Sequence, residues 1–580
     1  MRWIVSDFKG LREAELDLTG GKITVLAGIN SSGKSSIVQS LLMFAQSLYH
    51  DGAIVLNGPL VRLGQASDLV REGADEGSVR FSIEFDTADD EGTESIRVDI
   101  DLAPSEDDTS LTVLKLTAVG FPGAGVAQPL TVDRKRARSS DATEAIFAAG
   151  IRGVTDALHI KTLLASDRRA LRTYVAFSGV VPRAVVQLRT PEEISSRYQK
   201  VLDPILSAVA EETRHSGLRD IAEAESVPIA REFAQLLAQA VGDDDATRRR
   251  FRGVLYDRGW FSARFRDAWR DLDQGSREEA IRLASSIRAE THVTVLPLDE
   301  RLRRPGGSPR GALEIALAEE LGESLKVLRS LTRSLLELGD RVQYLGPLRD
   351  EPRVVWNQWN ELTRGLPVGT RGEYSAAVLT RSRERRIPFV SPEGVLGMGS
   401  LGEAVDAWLG YLQIGDAVVT NNRGKLGVGM EISLQGARRD LTAVGVGVSQ
   451  ALPLVVGLLV APAASIFLVE QPELHLHPAV QARLADFIAR ARPDVTVVVE
   501  THSEALITRI RRRVAEEQID PNRVGIVFVE PTTEGTVTRA LRLTEFGDLS
   551  DWPAGFLTLP DEDTSAILQA NLKRLSASDR

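Results

Sequence analysis

KITVLAGINSSGKS, residues 22–35, is the stretch on which the reading of this chain turns. The apolar run Ile23 to Ala27 has the character of a buried strand. Gly28-Ile29-Asn30-Ser31-Ser32-Gly33-Lys34-Ser35 follows, and from Ser35 the segment SSIVQSLLMFAQSLYH repeats apolar residues every three or four positions, as a helix does. The pattern G-x-x-x-x-G-K-[ST] between a strand and a helix is a phosphate-binding arrangement. Its glycines let backbone N–H groups curl around phosphate oxygens where a Cβ would clash, and the helix N-terminus adds donors and a favourable dipole. Gly28, Asn30, Ser31, Ser32, Gly33 and Ser36 are therefore expected to form the cradle. Lys34 is expected to reach the β- and γ-phosphates, and the Ser35 hydroxyl to ligate Mg2+. The loop alone specifies neither ATP nor hydrolysis.

Bulk properties set broad limits. The chain has 580 residues, of which 43% are hydrophobic and 26% charged, as in an ordinary protein with a real core. Its net charge of −11 does not attract nucleic acid, so such a contact would need a local basic patch. There is no cysteine, which excludes disulfides and thiolate sites and fits a cytoplasmic location. The opening MRWIVSDFKGL has no apolar core of a signal peptide. ALPLVVGLLVAPAASIFLV (451–469) is long enough to suggest a membrane span, but Pro462 divides it into a buried helix and a buried strand.

Outward from the phosphate loop, SVRFSIEFD, SIRVDIDL and SLTVLKLTAV (78–119) alternate apolar and polar residues and predict half-buried antiparallel strands. From about 140 to 338 the pattern turns mostly helical, as in ISSRYQKVLDPILSAVAEE and SREEAIRLASSIRAE. From RVQYLGPLR (341–349) onward strands and helices alternate, which implies a largely parallel, doubly wound sheet.

Two distal segments complete a site. The strand SIFLVE (465–470) ends in Glu470, expected to lie near Mg2+, followed by Gln471, Pro472 and Glu473. VTVVVETHS (495–503) is another apolar strand, and it places His502 at the carboxyl edge of the sheet, where such sheets bind ligands. There the imidazole is expected to meet the γ-phosphate or the attacking water. VGVGVSQ (444–450), with Gly447 and Ser449, precedes a further helix and suits an anion.

Together these segments resemble the SMC/RecF/OLD branch of ABC-type ATPases. The resemblance rests on IVSDFKGLREAELDL, ITVLAGINSSGKSSIVQSL, VGVGVSQALPLVV, LVEQPELHLHP and VVVETHSEALITRIRRRV. YLGPLRDEP and the terminal DWPAGF are similar to bacterial OLD-like ATPases of the AAA type that end in a W-P-x-G-F motif. The resemblance implies an α/β ABC-type P-loop head with an antiparallel β lobe, a doubly wound parallel sheet and a mostly helical insertion. The expected division is 1–120, the first part of the head; 121–339, the insertion; and 340–580, the second part. It implies ATP and Mg2+ as ligands and a homodimer, or higher oligomer, in which one phosphate loop faces the other head's Gly447 and Ser449. Gln65 is the expected Q-loop residue on the metal, and Arg349 a further phosphate candidate.

Hydrolysis is the open question. In ABC-type enzymes the residue after the Walker B acid deprotonates or positions water, and here it is Gln471. An amide orients water but accepts no proton near neutral pH, so turnover is expected to be slow. Glu473 substitutes only if the turn at Pro472 aims it back at the site. His475 and His477 have a spacing compatible with zinc, though the resemblance favours a loop facing the partner head. The expected function is an ATP-gated switch, in anti-phage defence with a separate effector. The alternative is a RecF- or SMC-type DNA-repair ATPase, for which the basic clusters at 248–252, 301–304, 383–386 and 509–513 would touch phosphates. A Toprim nuclease module and membrane attachment are not expected.

Overall fold

The structure is a computed structural model that describes residues 1–48, 52–74, 77–86, 93–122, 129–133, 154–160, 173–189, 292–299, 320–356 and 368–551, with a few isolated positions besides. The chain divides into two compact units. One comprises residues 1–88, 95–113 and 334–580, and the other residues 89–94 and 114–333.

The first unit is built on a mixed sheet. Its strands are β1 (Arg2–Phe8), β2 (Leu11–Asp17), β3 (Ile23–Ala27), β4 (Val79–Asp86) and β5 (Thr93–Pro104), with β6 (Leu111–Pro122) entering both units. In the second unit, β7 (Leu130–Asp133), β8 (Asp156–Ile160), β9 (Thr173–Ser178), β10 (Val181–Arg189) and β11 (His292–Pro297) form an antiparallel run in chain order, and β7 pairs with Lys115–Ala118 of β6. The first unit resumes with β12 (Val342–Leu345), β13 (Arg386–Val390), β14 (Leu396–Ser400), β15 (Ala417–Asn422), β16 (Val428–Leu434), β17 (Ala437–Asp440), β18 (Ile466–Glu470), β19 (Thr496–Glu500), β20 (Val524–Thr532) and β21 (Gly535–Arg542). The helices are α1 (Lys34–Leu48), α2 (Glu323–Arg341), α3 (Ser375–Ser382), α4 (Leu401–Leu412), α5 (Val446–Val460), α6 (Pro478–Arg490) and α7 (Glu504–Ala515).

In the first unit the strand order runs β5–β4–β1–β2–β21–β20–β3–β19–β18–β12. The last five of these are mutually parallel, and β1, β2, β4 and β5 form the antiparallel lobe. Helices cover the parallel strands, so β3, β18 and β19 are buried at every residue and read as continuous apolar runs. The antiparallel strands instead alternate: β4 shows Val79, Phe81, Ile83 and Phe85 inward and polar residues between. The α/β architecture with its antiparallel lobe and parallel sheet is thus the one expected of an ABC-type P-loop head.

The membrane-like stretch 451–469 resolves into α5 and β18. Helix α5 is buried from Val448 to Val460 apart from Gln450 because it lies in the main core with Trp408, Phe467 and Phe487. Among the described residues no helix is long and apolar enough to cross a membrane. A second packing centre, in which Trp3, Phe44 and Phe81 meet with ring centroids 4.5–5.6 Å apart, fixes α1 against β1. The Trp3 indole donates to Ser40 Oγ at 3.1 Å.

Within the insertion, α2 falls largely in the periodic segment 313–339, whose pattern is helical, and the other described elements are strands. In those strands Tyr174, Val175, Val185 and Val186 are the aromatic and β-branched residues that fit a pleated surface. Other periodic segments behind the helical expectation, among them 194–212 and 276–290, lie outside the described residues, as does most of the terminal DWPAGF.

Asp486 on α6 is fully buried and takes Arg513 at 2.5 Å, Arg509 at 3.1 Å and the Tyr411 hydroxyl at 2.6 Å. It ties α4, α6 and α7 together. Removing one partner of such a cluster leaves charge uncompensated, so Asp486→Ala is expected to cost about 3 kcal/mol, read as a lower urea midpoint.

Candidate functional site

The site forms where parallel strands end together. β3 runs into the phosphate loop, its neighbour β19 ends in Glu500, and β18 beyond it ends in Glu470. An open cavity of about 940 Å³ lies at these ends, lined by residues 30–36 of the loop and first helical turn and by Gln471, Glu473, Gln481, Glu500 and His502 among others. Parallel pairing puts all strand carboxyl ends on one edge, which is why residues nearly 470 positions apart meet here.

The loop's glycines are required by shape. Gly28 has φ +150°, and a Cβ there would stand 2.5 Å from the Val529 carbonyl oxygen on β20. Gly33 has φ +97°, and a Cβ there would meet Leu11 and Thr536 at 3.2–3.3 Å. Ser31 holds a left-handed φ of 60°, strain of a kind that collects at ligand sites. Lys34 is buried, and its ammonium donates to the Gly28 and Ile29 carbonyls at 2.9 and 2.7 Å. Burial lowers its pKa.

Ser35 Oγ donates to Glu500 Oε1 at 2.9 Å. Glu500 is 2% exposed and its Oε2 has no hydrogen-bond partner. Burial and the neighbouring Glu470 carboxylate push its pKa up to about 7. Glu470, also raised by burial, is arranged differently. Its Oε1 accepts from the Tyr344 hydroxyl at 2.7 Å, its carbonyl accepts from Arg349 Nη2 at 3.2 Å, and it does not line the cavity. Burial pushes the Arg349 guanidinium down to about 10, and the Tyr344 hydroxyl is raised by burial and by Glu470.

The turn at Pro472 settles where Glu473 goes. Gln471 adopts φ 45°, and its N–H donates to the Glu500 carbonyl at 2.7 Å. The chain thereby folds back across the end of β19. Glu473, buried, accepts the His502 N–H on Oε1 at 2.7 Å, while its Oε2 has no partner. Gln471 and Glu473 therefore both border the cavity. The His502 side chain is exposed to it, with its pKa lowered by burial and by Lys34. Gln481 on α6 joins the two loops: its amide donates to the Leu476 carbonyl at 2.9 Å and accepts the Ser503 hydroxyl at 2.7 Å.

Not every expected residue comes to the site. Gln65 is exposed, its N–H donates to Asp68 at 3.3 Å, and it is not among the lining residues. Gln65 follows Gly64 in a short loop held by Asn57 and Asp108 contacts, which direct it elsewhere. Arg349 holds the Glu470 peptide instead of facing the cavity. Gly447 and Ser449 lie at the start of α5, outside the lining, and Ser449 Oγ donates to the Val446 carbonyl at 2.8 Å. The His477 ring caps α6 by accepting from Ala479 N–H at 3.2 Å, and among the described residues no group of three or more His, Asp or Glu is arranged for a metal. Glu500, Gln481, Leu474 and Ser503 are the lining residues that the sequence reading passed over. A carboxylate closing an otherwise apolar buried strand was the available signal for Glu500; Gln481 gave none.

The described basic cluster at 509–513 is paired within the fold, whereas in that at 383–386 Arg385 and Arg386 are exposed. Arg509 and Arg513 pair with Asp486, Arg512 with Glu516, and Arg383 with Asp406. The clusters at 248–252 and 301–304 lie outside the described residues.

Residues 251–508 match the family described as "AAA domain, putative AbiEii toxin, Type IV TA system". The match includes the strand-end acids and His502 but not the phosphate loop. No curated protein matches the chain. Among solved structures, an Smc head domain with an extended coiled coil bound to the C-terminal domain of ScpA, from Pyrococcus furiosus, is 12% identical at a TM-score of 0.33, with 93% of this chain and 96% of that one covered. An SmcHead bound to the C-winged helix domain of ScpA gives 10% and 0.34, covering 94% and 98%. An Smc head with a coiled coil and joint from Pyrococcus yayanosii gives 15% and 0.32, covering 94% and 97%. Likeness at this level bears on neither substrate nor partner.

Gly28→Ala tests the cradle directly. Its Cβ would displace the loop from Val529, so affinity for a fluorescent ATP analogue is expected to fall about ten-fold or more, equivalent to at least ~1.4 kcal/mol, while the circular dichroism spectrum stays native.

Proposed function

We propose that this chain is an Mg2+-dependent ATP-binding head that hydrolyses ATP slowly, pairs with a second copy around bound ATP, and acts as a switch. The observation that carries this reading is the single cavity edge at which Lys34, Ser35, Gln471, Glu473, Glu500 and His502 converge. The residues fit a magnesium–nucleotide ligand: a glycine cradle stands beside two buried carboxylate oxygens, on Glu473 and Glu500, that have no partner within the protein. Gly28, Asn30, Ser31, Ser32, Gly33, Lys34, Ser35 and Ser36 would hold the phosphates. When bound, Mg2+ supplies charge neutralisation for phosphoryl transfer.

The chain's own groups then divide the work. Lys34 exchanges its loop carbonyls for phosphate oxygen. Gln471 orients water by hydrogen bonding without accepting its proton. Glu473 is a carboxylate close to that position, but His502 N–H holds it, so it takes a proton only from a well-placed water. His502 offers an imidazole with a lowered pKa, neutral near pH 7, as hydrogen-bond partner to the terminal phosphate. Positioning without a strong base supports slow turnover and a long-lived ATP state.

The place of Gly447 outside its own chain's cavity supports a role toward a second copy, as does the exposure of Ile29 and Val446. A switch of this kind coupled to a separate effector suits defence, and the toxin–antitoxin wording of the matched family agrees with that. Pairing of Arg509 and Arg513 with the buried Asp486 weighs against the 509–513 cluster as a DNA contact in the DNA-repair alternative.

Steady-state phosphate release tests the reading. Lys34→Ala is expected to reduce it to background. Gln471→Glu is expected to raise it about ten-fold or more, the lower part of what a placed base contributes, and Glu473→Gln to lower it. Rapid wild-type turnover that Gln471→Glu leaves unchanged would contradict the slow-switch account.

A further inference from the structure

Glu470 and Glu500 are register partners on adjacent parallel strands and present their side chains to the same face. Two carboxylates so placed repel each other unless a positive charge arrives or a proton is retained. Their surroundings divide the roles. Glu470 is held from both ends: Tyr344 donates to its carboxylate and Arg349 to its carbonyl. Glu500 lines the cavity and accepts the Ser35 hydroxyl on one oxygen, while its other oxygen is buried with no donor from the rest of the protein, facing only the neighbouring Glu470 carboxylate.

Lys34 acts on Glu500 only through space, because its ammonium is hydrogen-bonded to the Gly28 and Ile29 carbonyls, and burial and Glu470 outweigh it. Magnesium is ordinarily held by one or two carboxylates together with phosphate oxygens and water. A hydroxyl and a carboxylate already in contact, on adjacent elements, offer two of the roughly six ligands of such a shell.

We propose that Glu500, the strand-end acid of β19, holds the divalent cation together with Ser35, and that Glu470 is a positioning residue clamped by Tyr344 and Arg349. The acid that meets the metal has thus moved from the strand preceding Gln471 to the neighbouring strand that precedes His502. One carboxylate-bearing edge then carries both the cation and the phosphate-facing histidine, so loss of the terminal phosphate would be felt on a single strand. Glu470 instead fixes the carbonyl end of β18 from which Gln471 turns. This assignment rests on the ATP-binding reading above.

The test uses Mn2+ as the probe, measured by electron paramagnetic resonance on the full chain with a saturating non-hydrolysable ATP analogue. Nucleotide affinity is measured separately in EDTA. Glu500→Gln is expected to raise the Mn2+ Kd about ten-fold or more, within the range for disturbed metal sites, with metal-free nucleotide affinity unchanged. Glu470→Gln is expected to leave the Mn2+ Kd nearly unchanged and to alter phosphate release. Glu500→Asp, which keeps the charge but retracts it, is a second variant expected to weaken Mn2+ to a smaller degree. Mn2+ lost on Glu470→Gln and kept on Glu500→Gln, or affected equally by both, would overturn the assignment. Absence of nucleotide binding by the wild type would instead remove the ATP reading and this assignment with it.

Discussion

Parallel pairing of β3 with β19, and of β19 with β18, is the constraint from which the site follows. It brings the phosphate loop, Glu500 and the Gln471 turn to one edge. These strands are buried throughout and mostly apolar, with Thr24 and Thr496 as hydrogen-bonded exceptions. Charge appears only at the carboxyl ends of β18 and β19, where the backbone leaves the sheet. The Ser35–Glu500 hydrogen bond closes the arrangement between the first turn of α1 and the end of β19, which are distant in sequence.

The fold was largely legible in the sequence because both of its periodicities were clear. Continuous apolar runs at 23–27, 466–469 and 495–499 marked buried parallel strands, and the alternation at 79–86 marked the half-exposed lobe. The strand–loop–helix shape at 23–48 was legible, since Gly28 and Gly33 hold positive φ at positions where a Cβ would crowd its neighbours. The strands in 156–189 were hidden by longer helical patterns on either side. Cross-strand partners decide that register, and single-segment periodicity does not contain them.

The site's second half was legible as segments but not as roles. Strand ends at Glu470 and Glu500 are visible in the sequence, yet which acid meets Ser35 depends on strand order. β19 lies between β3 and β18, so Glu500 is the nearer of the two. The aim of Glu473 depended on a left-handed Gln471, an unusual conformation for a residue with a side chain. Gln65 and Arg349 carried the right chemistry in the right order, but local loop and peptide contacts direct them away from the cavity.

The central claim is a composite ATP site at the strand ends, with its cation on β19. A crystal structure with a non-hydrolysable ATP analogue and Mg2+ tests it most directly. The account predicts the β- and γ-phosphates in the loop against Lys34, the ion on Ser35 and Glu500, and Gln471 and His502 toward the terminal phosphate. An ion ligated by Glu470 without Glu500, or a nucleotide bound away from residues 28–36, would contradict it.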